Sequence, residues 1–218
     1  MEWDQLSSQW KRCFELAWDS YLLGSKPIAA LVTNEDGEII AEGKCAVYCE
    51  LPGEGVSCNE IAHAEVNALL NIDNRVHTYR APYTLYSTLE PCPLCMGALY
   101  MSGIKNLKYA AKDEYGGSVN LLGATPYMSW KNIKAEGPFA NIEEVSIVLN
   151  VAYDIEHDPK KIFVIEEMKR DYPESVEVGR EFASHGTLQQ YKHLSFENVY
   201  PLIQQSLLKQ SKFTPLGK

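Results

Sequence analysis

Two short motifs, well separated along the chain, constrain its fold more than any other feature. The first, at residues 63–65, is His-Ala-Glu, and the second, at residues 91–95, is Pro-Cys-Pro-Leu-Cys. One imidazole and two thiolates form a soft donor set that suits zinc, and a carboxylate lies beside the imidazole. For His63, Cys92 and Cys95 to bind one ion, the fold must bring the two motifs together. Three protein ligands would leave the fourth position of zinc open to water, which is typical of a catalytic site.

Both motifs lie where a helix is predicted to begin. Pro93 suits a first helical turn, because the N–H that proline lacks would be unpaired there. The pattern predicts helices over residues 62–70 and 93–102, and the second helix places Cys92 and Cys95 on one face. Glu65 is two residues from His63 and does not share its helix face. It need not bind the metal, since it has only to reach the bound water and the substrate.

Other roles for these cysteines are open at this stage. A Pro-Cys-x-x-Cys sequence by itself could be a redox dithiol or half of a structural zinc site, and a structural site requires a fourth ligand. Cys45, Cys49 and Cys58 could supply that ligand, but no Cys-x-x-Cys spacing links them. We expect these three cysteines to be free thiols, buried or partly exposed.

Length and composition favour one soluble domain. The chain has 218 residues, of which 45% are hydrophobic, enough for a sizeable core and an appended element. The acidic N-terminal residues do not resemble a secretory leader, and the apolar runs are too short to cross a membrane. Six cysteines without such a leader favour a reducing compartment. We therefore expect a cytoplasmic protein.

The charge of the chain disfavours nucleic acid as a partner without excluding it. The net charge is −9, whereas a protein that binds a nucleic-acid backbone usually presents a basic face. No dense basic cluster is visible. We assign Lys160 and Lys161, and the pair Lys209 and Lys212, to a solvated turn or tail.

Helix and strand patterns alternate through the first 113 residues. An amphipathic helix is predicted over residues 3–23, strands over 28–33, 38–42, 83–87 and 107–111, and a loop over 45–59. This alternation predicts a layered α/β sheet with its ligand site at strand ends, where helix N-termini converge. Further along, a strand is predicted over 145–151 and helices over 162–171 and 198–209. We interpret the C-terminal part as a packed helical extension; a second domain is the alternative.

The sequence resembles the cytidine deaminase superfamily, whose signature joins His-x-Glu to Pro-Cys-x-x-Cys. The likeness extends over residues 27–113. It is carried by residues 27–32 (Pro-Ile-Ala-Ala-Leu-Val), 62–65 (Ala-His-Ala-Glu) and 88–98 (Thr-Leu-Glu-Pro-Cys-Pro-Leu-Cys-Met-Gly-Ala). These segments are similar to the branch of tRNA adenosine, guanine and fungal-type cytosine deaminases. The resemblance implies a three-layer α/β/α cytidine deaminase-like fold, with a zinc-dependent deaminase domain at 1–157, the helical extension at 158–218, and a homodimer.

The resemblance also implies a role for particular residues. His63, Cys92 and Cys95 would hold zinc, and Glu65 would be the proton shuttle. The backbone carbonyl of Glu90 would lie near the leaving amine of the substrate.

The substrate contacts depart from the family pattern at one position. Asp113 matches an acidic residue on a loop over the pocket. Members of this branch commonly carry an asparagine after the second strand, and its amide contacts the base. Here Cys45 occupies that place, and a thiol is a weak hydrogen-bond partner. Base recognition must therefore differ or come from another residue, for which Asn59 is our candidate.

The expected function is hydrolytic deamination of a small amino-substituted nucleobase or nucleoside, with zinc as cofactor and release of ammonia. One alternative is adenosine-to-inosine editing in tRNA, which the acidic charge and Cys45 count against. The other is a zinc-binding relative that acts as a scaffold without catalysis. A scaffold would not need a proton shuttle, so the presence of Glu65 counts against this alternative.

Overall fold

A computed structural model describes residues 2–51 and 55–213 of the chain. Residues 52–54 of the predicted loop and 214–218 of the predicted extension lie outside this description. The sheet contains the strands β1 (Ala29–Thr33), β2 (Ile39–Lys44), β3 (Thr84–Leu89), β4 (Asn106–Ala111) and β5 (Lys134–Glu136). Their order is β2-β1-β3-β4-β5. Strand β1 is antiparallel to β2 and β3, whereas β3, β4 and β5 are parallel to one another.

Helices cover both faces of this sheet. In the described part of the chain they are α1 (Ser8–Leu22), α2 (Ala64–Leu70), α3 (Pro93–Ser102), α4 (Pro126–Lys131), α5 (Glu143–His157), α6 (Ile162–Asp171), α7 (Pro173–His185), α8 (Thr187–Gln190) and α9 (Phe196–Phe213). Helices α2 and α3 pack on one face, and α1 and α5 pack on the other. The predicted three-layer α/β/α arrangement is confirmed.

The side chains of the central strand β1 alternate between the two faces of the sheet. Ala30 and Val32 pack into the core beneath α2 and α3, while Leu31 packs into the core beneath α1 and α5. Successive side chains of a strand point to opposite faces, so both cores need apolar residues from β1. All five residues of β1 are buried, which is why this strand is a continuous apolar run.

The strand predicted over residues 145–151 is wrong, because this segment lies inside α5. Every residue from Val145 to Asp154 is buried, so no polar face marks the helical period. A short apolar run rich in β-branched residues does not distinguish a buried helix from a buried strand. The consequence is a core helix between the sheet and the C-terminal helices.

The C-terminal extension packs against both α5 and α1. The helices predicted over 162–171 and 198–209 correspond to α6 and α9, and α7 between them was not predicted. Phe196 at the start of α9 stacks on Phe14 of α1 with ring centroids 5.6 Å apart, and Nε1 of Trp18 donates to the carbonyl of Leu194 at 3.0 Å. The predicted boundary after residue 157 falls where α5 ends, and the division of the chain there stays a prediction. No helix in the described ranges is long and apolar enough to cross a bilayer.

Candidate functional site

The three predicted metal ligands meet where α2 and α3 begin. His63 is the N-cap residue of α2, Cys92 is the N-cap residue of α3, and Cys95 lies in the first turn of α3. Nδ1 of His63 is 3.5 Å from Sγ of Cys92 and 3.4 Å from Sγ of Cys95, and the two sulfur atoms are 3.6 Å apart. Among the described residues, they form a cluster of potential metal ligands whose donor atoms all lie within 4.8 Å of one another.

These distances fit one tetrahedral zinc ion. Zinc binds sulfur at about 2.3 Å and nitrogen at about 2.0–2.1 Å, so tetrahedral angles place two sulfur ligands about 3.8 Å apart and a sulfur and a nitrogen about 3.5 Å apart. The observed separations of 3.6, 3.5 and 3.4 Å are close to these values. Three donors from two helix starts leave one tetrahedral position for water or substrate.

The three side chains of the triad also share protons with one another. The hydrogen bond from Cys95, with help from His63, lowers the pKa of the Cys92 thiol to about 4. The same bond between the two sulfurs, together with burial, raises the pKa of Cys95. The Cys92 thiolate also raises the pKa of His63. Both thiols and the imidazole must release their protons to bind a divalent cation, so metal binding and proton release are coupled here.

Glu65 lies beside the triad with its carboxylate buried. It is 3% exposed, and its Oε2 accepts the thiol of Cys95 at 3.2 Å. Its Oε1 accepts the hydroxyl of Ser87 in β3 at 2.9 Å. Burial is the main reason that the pKa of Glu65 is raised, so this carboxylate holds a proton more readily than an exposed one. Ser87 was not predicted; β3 also contains Thr84 and Thr88, so a hydroxyl side chain in this strand is no distinctive signal in the sequence.

A cavity of about 240 Å³ opens next to the triad and Glu65. The predicted site residues that line it are His63, Glu65, Cys92, Cys45, Glu90 and Asp113. Asn59, which was predicted to contact the substrate, does not line the cavity. Its side chain is exposed, and its Oδ1 accepts the backbone N–H of Ile61 at 3.0 Å. The neighbouring Glu60 lines the cavity instead.

The carboxylates of Glu90 and Asp113 organise the loop after β4. Glu90 accepts the backbone N–H of Val119 at 2.9 Å and that of Asp113 at 3.3 Å. Asp113 in turn accepts the N–H groups of Tyr115 and Gly116 at 3.0 and 2.9 Å. The side chain of Glu90 therefore holds the loop against the end of β3. The role predicted for its backbone carbonyl stays a prediction.

Cys45 follows β2 and lines the cavity as a buried thiol. Its Sγ accepts the hydroxyl of Ser25 at 3.4 Å. Cys49 and Cys58 are also free, and none of these three cysteines joins the triad. The structure therefore gives no support to a fourth cysteine ligand from this segment.

Two lysines reach the cavity that sequence analysis did not place there. Lys26 precedes β1, and Lys161 ends the 3-10 turn that follows α5. Lys161 lies on a turn, as predicted, but its side chain is only partly exposed and its ammonium group lies 3.5 Å from the buried carboxylate of Asp154. The C-terminal extension thus contributes directly to the lining of the cavity.

Comparison with known proteins gives the family. Residues 1–111 match the family model of the cytidine and deoxycytidylate deaminase zinc-binding region. The chain is 37% identical over 106 residues to the tRNA-specific adenosine deaminase of Haemophilus influenzae, covering 48% of this chain and 57% of that protein. It is 36% identical over 104 residues to the guanine deaminase of Bacillus subtilis, covering 47% and 62%. The chain thus spans roughly three-fifths of the length of these curated relatives.

A solved structure extends the likeness in fold beyond the matched residues. The guanine deaminase of Nitrosomonas europaea superposes with a TM-score of 0.54 at 24% identity, covering 67% of this chain and 83% of that one. At this identity the superposition shows the fold alone. The family match covers just over half of the chain and includes all the metal ligands. This chain therefore belongs to the cytidine and deoxycytidylate deaminase zinc-binding family, with His63, Cys92 and Cys95 as its zinc-binding triad.

Proposed function

We propose that this chain is a zinc-dependent hydrolytic deaminase of a small amino-substituted nucleobase or nucleoside. The observation that carries the proposal is the position of Glu65. Its buried carboxylate lies 3.2 Å from a sulfur of the triad and lines the same cavity as His63 and Cys92. A purely structural zinc site has no need of a buried carboxylate beside its ligands. The scaffold alternative leaves Glu65 without a role.

The chemistry divides between the metal and Glu65. When bound, zinc lowers the pKa of a coordinated water toward neutrality and so supplies the nucleophile. Glu65 would accept the proton that the water loses as the water oxygen bonds to the amino-bearing carbon, and would donate that proton to the adjacent ring nitrogen. Glu65 then delivers the second proton of the water to the amino nitrogen. The C–N bond breaks, ammonia leaves, and the water oxygen remains as the ring carbonyl, so Glu65 returns to its starting state.

The size of the cavity supports a small substrate. Pockets for drug-sized ligands usually have volumes of about 300–1,000 Å³. The cavity at the triad, at about 240 Å³, lies below that range. A single heterocycle with at most a short substituent suits this space, and any larger group would extend into solvent.

The test is ammonia release from a panel of free bases and nucleosides. We expect the zinc-loaded protein to deaminate at least one of them, and Glu65→Gln to lower kcat by about 10²–10⁴-fold with unchanged zinc content, because general acid–base catalysis is lost. Glu35→Gln, on the exposed β1–β2 turn, is the matched control and should keep full activity. Removal of zinc by a chelator should abolish turnover, and added zinc should restore it. Undiminished turnover by Glu65→Gln would refute the assignment.

Editing of adenosine in tRNA is the second candidate, and it is favoured by the relatives that are tRNA-specific adenosine deaminases. The net charge of −9 opposes it, because an acidic surface repels RNA. Incubation of the protein with total tRNA, followed by measurement of inosine, separates the two candidates. Inosine formation without any turnover of free bases or nucleosides would replace the first candidate by the second.

We also propose that the protein forms a homodimer. Light scattering should then give a mass twice that of the 24.6 kDa chain. A monomer mass at micromolar concentration would remove the dimer from the proposal without affecting the chemistry.

A further inference from the structure

The loop after β4 brings Asp113 to the cavity beside the triad. Oδ1 of Asp113 accepts the backbone N–H groups of Tyr115 and Gly116 at 3.0 and 2.9 Å, which fixes the carboxylate within its own loop. Over the described ranges of the chain, Oδ2 has no hydrogen-bond partner. This oxygen can therefore accept a hydrogen bond from a ligand, provided that the loop as a whole is held in place.

A buried hydroxyl of the C-terminal extension holds the start of this loop. Tyr172 lies between α6 and α7 and is 8% exposed. Its Oη accepts the backbone N–H of Lys112 at 3.1 Å and donates to Oε2 of Glu143, the first residue of α5, at 3.1 Å. Burial is the main reason that the pKa of Tyr172 is raised, so the phenol keeps the proton that it donates. One hydroxyl thus joins the end of β4, the start of α5 and the extension.

Two further contacts join the same loop to α6. Nζ of Lys112 lies 3.4 Å from Oδ2 of Asp171, and the rings of Tyr115 and Phe163 meet edge to face with centroids 5.1 Å apart. These four side chains are about half exposed, and contacts of that kind contribute little. Loss of a buried hydrogen bond costs more, because its partners are left unpaired. The hydroxyl of Tyr172 is therefore the contact on which the position of the loop depends most.

We propose that Tyr172 is a positioning residue for Asp113. It does not line the cavity itself. By holding Lys112, the residue before Asp113, it fixes where the free carboxylate oxygen meets the substrate and so sets how tightly the substrate binds. This inference rests on the proposed function and gives the extension a part in substrate binding at the same site.

Hydrogen exchange of the zinc-loaded protein tests the position of the loop without any substrate. In Tyr172→Phe we expect the backbone amides of residues 112–116 to exchange at least about tenfold faster, and those of α3 to be unchanged. The variant keeps the aromatic ring in its core cluster, so it should fold normally by circular dichroism. Tyr200→Phe is the matched control. Its buried hydroxyl also donates and accepts, with the carbonyl of Asn141 and the amide of Gln204, and its loss should leave the loop unchanged.

A double-mutant cycle then shows whether Tyr172 acts through Asp113. Calorimetry uses zinc-loaded protein that carries Glu65→Gln, titrated with cytosine, adenine and guanine and with their nucleosides. We expect Tyr172→Phe to weaken the binding of at least one of these compounds by about three- to tenfold. After Asp113→Ala, which removes the carboxylate, Tyr172→Phe should change binding by less than about twofold. With Glu65 intact, Tyr172→Phe should raise KM by the same factor and leave kcat nearly unchanged.

The inference and the proposed function fail in different ways. Unchanged exchange of residues 112–116 in Tyr172→Phe would overturn the inference, and so would an equal loss of binding with and without the carboxylate of Asp113. If none of the compounds binds, the proposed function is contradicted and hydrogen exchange alone decides the inference. Faster exchange and a binding loss that requires Asp113, without release of ammonia from any compound, would support the inference and contradict the deaminase.

Discussion

Ser87 holds the carboxylate that is proposed to move protons. Its hydroxyl donates to Oε1 of Glu65 at 2.9 Å, while Oε2 is bonded to Cys95 at 3.2 Å. Zinc binding removes the proton of Cys95, so in the zinc-loaded protein the bond from Ser87 is what still holds this carboxylate beside the triad. Such alignment matters for catalysis because a positioned acid or base acts only within hydrogen-bond reach of its target.

Ser87→Ala should therefore lower kcat by up to about tenfold, with little change in KM or zinc content. This factor corresponds to the loss of one hydrogen bond with a net contribution of about 0.5–1.5 kcal/mol. Ser87→Thr keeps the hydroxyl and should recover part of kcat. Steady-state kinetics and metal analysis are the measurements. Ser102→Ala is the control, since its hydroxyl lies at the C-terminal end of α3, where it donates to the carbonyl of Leu99 and accepts the backbone N–H of Ile104. A rise in KM at constant kcat would contradict this role.

The sequence predicted the residues whose role follows from local spacing. His63 and Cys92 both cap helices, and Cys95 is one turn along, so a motif of a few residues defines each half of the site. Ser87 and Lys26 could not be found this way. Their partners, Glu65 and Asp154, lie 22 and 128 residues away, and no local pattern records such pairings.

Among the elements, strand β2 and helix α2 are so close at Gly43 that no side chain would fit between them. A Cβ atom on Gly43 would lie 2.2 Å from the backbone nitrogen of Ala68 and 2.3 Å from the carbonyl oxygen of Ala64. Glycine in a strand interior commonly marks such an approach of another backbone. Because His63 is the N-cap residue of α2, this contact also sets the position of one metal ligand relative to the sheet.

Gly43→Ala should lower the free energy of unfolding by about 1–3 kcal/mol, as expected for overpacking, and should weaken zinc binding by displacing α2. Urea denaturation and competition with a chromogenic chelator measure the two effects. Gly97→Ala in α3 is the matched control, because a Cβ there meets no heavy atom within 4 Å. An unchanged zinc affinity for Gly43→Ala would show that α2 is not positioned by this contact.

Element type could be predicted for α3, whose two ends carry clear signals in the sequence. The predicted bounds of α3 agree with the structure because Pro93 opens it and Gly103, at φ 87°, ends it. The segment of α5 lacks both signals and is buried on all sides, so its strand prediction failed. That burial comes from the sheet on one side and the helices of the extension on the other, and no pattern within α5 itself records it.

Across the whole molecule, helix α1 near the start of the chain packs against helix α9 near its end. Phe14 of α1 and Phe196 of α9 stack nearly parallel, at an interplanar angle of 6°, within a core cluster that also contains residues of α5 and α7. This cluster joins the extension to the helices that cover the sheet. We therefore expect the sheet and the extension to unfold together.

Phe196→Ala should lower the free energy of unfolding by about 3–5 kcal/mol, the usual cost of removing a buried phenylalanine side chain. Tryptophan fluorescence and far-ultraviolet circular dichroism should still give coincident transitions. Leu208→Ala, at a position 64% exposed on the same helix, should change stability by less than about 0.5 kcal/mol. Two separate transitions would instead divide the chain near the predicted boundary at residue 157.

The position of α5 late in the chain has a consequence for biosynthesis. All three zinc ligands have been synthesised by residue 95, whereas α5, which together with α1 covers the opposite face of the sheet, begins only at Glu143. The zinc triad is therefore complete in the nascent chain while α1 alone is available to cover that face. Metal can reach all three ligands before the core beneath α5 is able to form.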